Sequence, residues 1–311
     1  MRSAPLVCAL PGNAALAYAV ATHCGGDLVE LALHRFPDGE TGMRVLESPA
    51  RRDVIVVCSL NDPDPKMAAL HFAAATLREH GARRLLLVAP YLAYMRQDRA
   101  FEPGVGTLAR HYARWLSGLF DAVLTVDPHL HRIHRLNEIF DVPAQVVAAA
   151  PDVAAWIAAH CSEPPLLVGP DGESAQWVAD VAARLGCPSV AFTKQRRGDA
   201  DVLVHPAALQ QHRGRRAVVV DDIVSTAATM IGAVEGLREQ GFAAPLCIAV
   251  HPLFAGDAYV RLQAAGAGAI VSCNTIVHPS NGIDLHVRLA TAVDAQLRAL
   301  EAPESALGAT A

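Results

Sequence analysis

The sequence predicts an α/β fold in two similar halves, each a mostly parallel sheet flanked by helices. Three observations predict it. Apolar runs without polar alternation recur at residues 54–58, 85–88, 123–126, 166–168 and 218–220, the pattern of parallel strands buried on both faces. Helical periods stopped by glycine lie between such runs, as over residues 66–80 before Gly81 and in Met230, Val234 and Leu237 before Gly241. At 311 residues, 52% of them hydrophobic, the chain can also bury two cores of ordinary size.

In chain order, an apolar strand at residues 6–10 ends at Pro11-Gly12-Asn13 and leads into an Ala-rich helix reaching Thr22. The same stretch loosely resembles a signal peptide, but the turn cuts its apolar run short, and a cytoplasmic protein is expected. Residues 28–33 read as one strand before Phe36-Pro37-Asp38-Gly39-Glu40, where Asp-Gly signals a turn. The strand at 54–58 meets a turn at 61–65, and the strand at 85–88 opens onto Pro90-Tyr91-Leu92-Ala93-Tyr94-Met95-Arg96-Gln97-Asp98-Arg99. The strand at 123–126 ends in Asp127-Pro128-His129. Pro164-Pro165 breaks the chain before the strand at 166–168, a helix follows over 174–185, and a strand at 190–192 leads into a charged loop. The expected division is 1–145, 146–301 and a flexible tail at 302–311.

Composition excludes several classes of function. The formal net charge of −5, without a long basic block, argues against nucleic acid or an anionic membrane as partner. No apolar run is long enough to span a bilayer. Seven cysteines without paired spacing fit reduced thiols rather than a disulfide framework or a zinc site.

The stretch with the densest chemistry is residues 217–230, A-V-V-V-D-D-I-V-S-T-A-A-T-M. Asp221 and Asp222 stand where the valine strand should end, followed by Ser225, Thr226 and Thr229 as a helix opens. Free backbone N–H groups and the positive end of a helix dipole suit a phosphate, and the adjacent acids suit sugar hydroxyls or a magnesium ion that accompanies it. An ordinary strand–turn–helix with Ser225 or Thr226 as N-cap would explain the same residues.

The order V-V-V-D-D-x-x-x-T-x-x-T resembles the phosphoribosyl-diphosphate loop of type I phosphoribosyltransferases. P-Y-x-x-Y-x-R-Q-D-R at 90–99 resembles a signature of ribose-phosphate diphosphokinases. Further segments resemble that family in the right order: F-x-D-G-E at Phe36, V-D-x-H at Val126, P-D-x-G near Pro170, K-x-R at Lys194, and His251-Pro252-Leu253-Phe254 with Asn274-Thr275-Ile276. The resemblance runs from about residue 6 to about residue 300, and the shorter loops with His278-Pro279-Ser280-Asn281 look more like its archaeal-type branch.

The resemblance implies two phosphoribosyltransferase-type domains, the first on the ATP side and the second on the ribose 5-phosphate side. The implied reaction transfers the diphosphoryl group of ATP to the anomeric hydroxyl of ribose 5-phosphate, giving phosphoribosyl diphosphate and AMP. It implies Lys194 and Arg196 as a catalytic lid, and Phe36, Asp38, Glu40, Arg96 and Gln97 as ATP contacts, with Phe36 stacked on adenine. Gln97 and Asp98 more readily read as shaping their loop. Asp221, Asp222, Ser225, Thr226, Ala227, Ala228 and Thr229 would hold ribose 5-phosphate. His129 and Asp171 would be ligands of Mg²⁺, the histidine through water, since magnesium prefers oxygen donors. The Phe36 segment implies a homo-oligomer whose ATP site is shared between subunits. Two rival readings are a phosphoribosyltransferase proper and a catalytically silent nucleotide-binding paralogue that regulates a true synthase.

Ala227 and Ala228 stand where that family usually has glycine. Thr229, Met230 and Ile231 already read as helix, so both alanines are expected in its first turn, at negative φ, with the phosphate site intact. An alanine at positive φ would instead mark a loop drifting from its task.

Overall fold

The computed structural model describes residues 3–100, 102–192, 196–197, 200–201 and 209–301, and divides into two compact units. The first comprises residues 1–147 with 286–311, the second residues 148–285. The sequence division had kept the C-terminal segment to residue 301 in the second half; the structure assigns it to the first.

The first unit opens with β1 (Leu6–Ala9), α1 (Ala14–Cys24) and β2 (Asp27–Val29), then β3 (Leu31–Arg35) and β4 (Thr41–Val45). It continues through β5 (Asp53–Val57), α2 (Pro63–Glu79), β6 (Arg84–Ala89), α3 (Leu108–Leu119), β7 (Ala122–Val126) and β8 (Ala144–Val147). The main sheet has the order β2-β1-β5-β6-β7-β8, every pair parallel. β5 and β7 are buried along their whole length, as an apolar run between two helical layers requires. The single strand expected at 28–33 is two strands. β2 pairs with β1, whereas β3 turns away to form an antiparallel hairpin with β4. Pairing partners, not the apolar run, decide that break.

In the second unit come α4 (Ala150–His160), β9 (Leu166–Gly169), α5 (Ala175–Leu185), β10 (Ser189–Ala191), and the short strands β11 (Arg196–Arg197) and β12 (Ala200–Asp201). β13 (Ala217–Val224), α6 (Ala228–Glu239), β14 (Leu246–Pro252), α7 (Ala258–Ala264), β15 (Ala269–Cys273) and β16 (Asn281–Ile283) complete it. Its sheet runs β10-β9-β13-β14-β15-β16, again parallel throughout. Each unit therefore reverses strand order between its first and third sheet strands, β1 and β5 or β9 and β13. Loops at the carboxyl ends of such strands are where α/β sheets bind ligands.

The last helix, α8 (His286–Ala299), belongs to the first unit and packs on α1. Beyond it, Arg83 bonds Glu301 and Arg84 bonds the carbonyl of Leu300. The expected tail at 302–311 lies outside the described residues. Among the described residues, no helix is long and apolar enough to cross a membrane.

Candidate active site

β13 does not end before its acids. It runs on to Val224 because β14 offers ladder partners beyond the valines, with Asp221 opposite Ala249, Ile223 opposite His251 and Val224 opposite Pro252. Asp221 and Asp222 are thus strand residues, and Asp221 is only 7% exposed. Its Oδ1 accepts the Asp222 N–H at 3.0 Å, and Asp222 Oδ1 accepts the Ile223 N–H at 2.8 Å. Burial pushes the Asp221 carboxyl well above the usual carboxylate range, and the charges of Asp222 and Asp171 push the same way. Three carboxylates crowded together match the oxygen donor set of a hard divalent cation.

Asp171 follows β9, the strand next to β13. Its Oδ1 accepts the N–H groups of Glu173 (3.0 Å) and Ser174 (3.1 Å), and Ser174 Oγ donates to its carbonyl at 2.8 Å. Asp171 thus organises the turn after β9, and its half-buried carboxylate still acts on Asp221.

After β13, Ser225, Thr226 and Ala227 lead directly into α6, which begins at Ala228 and contains Thr229. Ala228 is helical, as expected. Ala227 is not: it is the N-cap at φ 60°, ψ 8°, in the left-handed region. The expectation failed because the helix starts one residue later than assumed, leaving Ala227 to make the turn out of the strand. That conformation costs a residue with a Cβ about 1–2 kcal/mol. The loop is braced from β14's end, where Phe254 N–H donates to the Val224 carbonyl (2.9 Å) and Ala255 N–H to the Ser225 carbonyl (3.0 Å).

The His251 and Asn274-Thr275-Ile276 segments build the support beneath. His251, 1% exposed, shares a 2.9 Å hydrogen bond between Nδ1 and Thr275 Oγ1, and that hydroxyl lies 2.7 Å from the Val250 carbonyl, to which it donates. Asn274 Nδ2 donates to Asp284 and its Oδ1 accepts the Leu285 N–H.

In the first unit, the residues proposed for ATP lie on two separate supports. Residues 36–40 form the turn of the β3–β4 hairpin, closed by the Phe36 N–H to the Glu40 carbonyl at 2.8 Å with Gly39 at φ 93°. Phe36 is 45% exposed and meets His34 edge-on at 4.6 Å. Arg96 and Gln97 lie in the loop after β6. Tyr94, at φ 65°, donates its hydroxyl to Asp64, while Gln97 N–H donates to the Tyr94 carbonyl at 2.9 Å. Both arginines of R-Q-D-R are exposed, and Asp98 between them is buried. His129 follows β7, the strand beside β6, with its ring 4.0 Å from that of His131. The structure thus brings the R-Q-D-R and His129 loops to neighbouring strands of one sheet.

Lys194 lies outside the described residues. The backbone of Arg196 lies in β11, antiparallel to β12. Lys66 carries no motif and was missed by the sequence reading. Its Nζ donates to the carbonyls of Ser59 and Asn61 and to Asn61 Oδ1. A lone helix lysine gives no signal that its head folds back onto the preceding loop.

A family model described as the N-terminal domain of ribose phosphate pyrophosphokinase matches residues 6–119, and one for the phosphoribosyl transferase domain matches residues 137–285. The ribose-phosphate pyrophosphokinase of Methanopyrus kandleri is 34% identical over 88% of this chain and 94% of its own length. That of Halobacterium salinarum is 37% identical over 84% and 90%. The fold matches a crystal structure of phosphoribosylpyrophosphate synthetase from Mycobacterium smegmatis with a TM-score of 0.83, at 24% identity over 96% of this chain and all of that one. On these grounds the chain belongs to the ribose-phosphate pyrophosphokinase family.

Proposed function

We propose that this protein transfers the diphosphoryl group of ATP to the anomeric hydroxyl of ribose 5-phosphate, releasing AMP. The observation that carries the reading is the β13–α6 turn. A mutually repelling acid pair, Asp221 buried and Asp222 half-buried, leads straight into a hydroxyl-bearing helix start, at the strand where the sheet order reverses. Such crowding of acids is costly to a fold, and functional sites are where it is tolerated.

In this reading the N-terminus of α6, with Ser225, Thr226, Ala227, Ala228 and Thr229, receives the 5-phosphate. Asp221 and Asp222 receive the ribose hydroxyls. Attack at the β-phosphorus builds charge on phosphoryl oxygens and on the departing α-phosphate, so catalysis is positioning and charge stabilisation without a protein nucleophile. Arg96 and Gln97 hold the ATP phosphates, Arg offering a planar fork of donors. Phe36 stacks on adenine, with Asp38 and Glu40 at its edge, and the exposed hairpin turn supports a homo-oligomer in which this segment serves a neighbouring subunit. Lys194 and Arg196 close on the transferring group. Magnesium, when bound, neutralises phosphate oxygens; Asp171 is proposed as a direct ligand and His129 as one acting through water.

The strained Ala227 favours one second reading, a catalytically silent paralogue that binds nucleotide. AMP release from ATP separates the two. Release strictly dependent on ribose 5-phosphate is expected, and none at any ribose 5-phosphate concentration would leave the silent paralogue standing.

A further inference from the structure

We propose that Arg132 is a positioning residue for ATP, tying the R-Q-D-R loop to the loop that carries His129. The proposal rests on the functional reading above. Arg132 lies outside every motif in the sequence. Its guanidinium donates from one nitrogen to both oxygens of Asp98, at 3.0 and 3.2 Å. The Asp98 side chain is only 1% exposed, whereas that of Arg132 is 39% exposed. A buried carboxylate needs its counter-charge, so Asp98 holds its place in the loop only while Arg132 holds its own.

Both ends of this link are braced. On the Asp98 side, Gln97 N–H donates to the Tyr94 carbonyl and Ala109 N–H to the Gln97 carbonyl at 3.2 Å. On the Arg132 side, Ile133 is 2% exposed, and Glu138 Oε1 accepts the N–H groups of His134 (3.1 Å) and Arg135 (2.9 Å). One guanidinium therefore sets the spacing of two loops, one presenting Arg96 and the other His129. The ligand that feels this spacing is Mg-ATP. Ribose 5-phosphate, assigned to the β13–α6 turn, should not.

The test uses the full chain and titrates two ligands separately: α,β-methylene ATP with Mg²⁺, whose α–β bridge cannot break, and ribose 5-phosphate. Arg132→Ala should weaken the ATP analogue by about 10–100-fold, as loss of a group that orients a ligand-binding side chain does, and leave ribose 5-phosphate unchanged. Arg132→Lys, which keeps the charge, should recover most of the loss. If Arg132→Ala does not fold, the neutral pair Asp98→Asn with Arg132→Gln replaces it, and it too should lose affinity for the analogue alone. Wild-type affinity for the analogue in the variant that folds, or equal loss of both ligands, overturns the proposal. An unaltered protein that binds the analogue yet releases no AMP would sink the functional reading instead, and the titrations would still decide the role of Arg132.

Discussion

The two units thread their sheets in the same order, and each carries a buried aspartate on its third sheet strand, yet the two carboxylates live in opposite surroundings. Asp53 opens β5 and is 3% exposed. Burial would raise its pKa, but hydrogen bonds from Arg84 and Arg83, and then their charges, hold it down at about 2. Asp221 sits towards the far end of β13, where burial and two further acids push its carboxyl up. The loops that follow differ in the same way. In the first unit Asn13 Oδ1 accepts the Ser59 N–H at 2.8 Å, and Lys66 covers the carbonyls of Ser59 and Asn61. That turn is closed by its own side chains. In the second unit the corresponding turn is braced from behind while its acids crowd one another. One topology has thus produced a sealed structural corner and a charged one that suits a ligand.

A second pairing concerns the hairpins. β3–β4 and β11–β12 occupy the same slot, between the second and third strands of their sheets. The largest predicted effect belongs to Lys194, two residues before β11 in the sequence. Lys194→Ala should lower kcat by about 10²–10³-fold with a much smaller change in KM, because it acts on charge that develops in the transition state. Phe36→Ala, in the turn of the β3–β4 hairpin, should weaken ATP alone. Steady-state kinetics with each substrate varied checks both, and an unchanged kcat for Lys194→Ala would break the contrast between a chemical and a binding segment.

Next in size are the two aspartates. Asp53→Asn should cost about 2 kcal/mol at neutral pH, the value of its pKa displacement from 3.8 to about 2. Because the folded pKa is the lower one, that stabilisation is complete above about pH 4 and disappears as pH falls through 2. Urea unfolding at pH 7 and pH 2.5 should therefore show a large penalty for Asp53→Asn at the first pH and a much smaller one at the second. Asp221→Asn should do the reverse at pH 7, gaining about 0.5–2 kcal/mol while abolishing ribose 5-phosphate binding. A destabilised Asp221→Asn would mean that the acid pair is structural.

Lys66→Met tests the sealed corner. Leaving the Ser59 and Asn61 carbonyls without their donor should cost about 1–3 kcal/mol, read as a lower melting temperature, with both substrate KM values unchanged. A shift in ribose 5-phosphate KM would give the first unit a role that its closed turn argues against.

The smallest effect separates two helix starts. α2 and α6 each begin after a non-glycine residue in the left-handed region, Asp62 at φ 49° and Ala227 at φ 60°. Because both units do this, the left-handed residue follows from the strand–turn–helix geometry that they share. Alanine bears the full strain of that region, whereas aspartate tolerates it. Ala227→Gly should stabilise by about 1 kcal/mol or less, since glycine's greater unfolded freedom offsets part of the relief. Asp62→Gly should gain nothing. Equal gains in chemical denaturation would show that side-chain chemistry does not matter at this position.

Much of this was legible in the residues. The valine and leucine runs located the buried parallel strands because a strand covered on both faces has no polar positions to alternate. Glycines after helical periods marked ends correctly, as at Gly81 and Gly241, both at positive φ. The turn between β13 and α6 was legible because its residue types are local to it. What was not legible depends on which strand lies alongside. The length of β13 is set by β14, so polar Asp221 and Asp222 remain in the ladder. The split of residues 28–33 is set by β1 on one side and β4 on the other.

The sequence by itself determined the α/β class, the two-unit plan and the turn at residues 225–229, since periodicity, chain length and local turn chemistry need no distant partner. Tertiary structure alone decided that α8 belongs to the first unit, that Ala227 takes a left-handed backbone, that Lys66 seals one corner, and that Arg132 answers the buried charge of Asp98. The placement of α8 and the Arg132–Asp98 pair depend on segments distant in sequence coming together, while Ala227 and Lys66 depend on how a turn meets the helix that follows it. Which buried charge finds a counter-charge is a property of that meeting, and no local pattern encodes it.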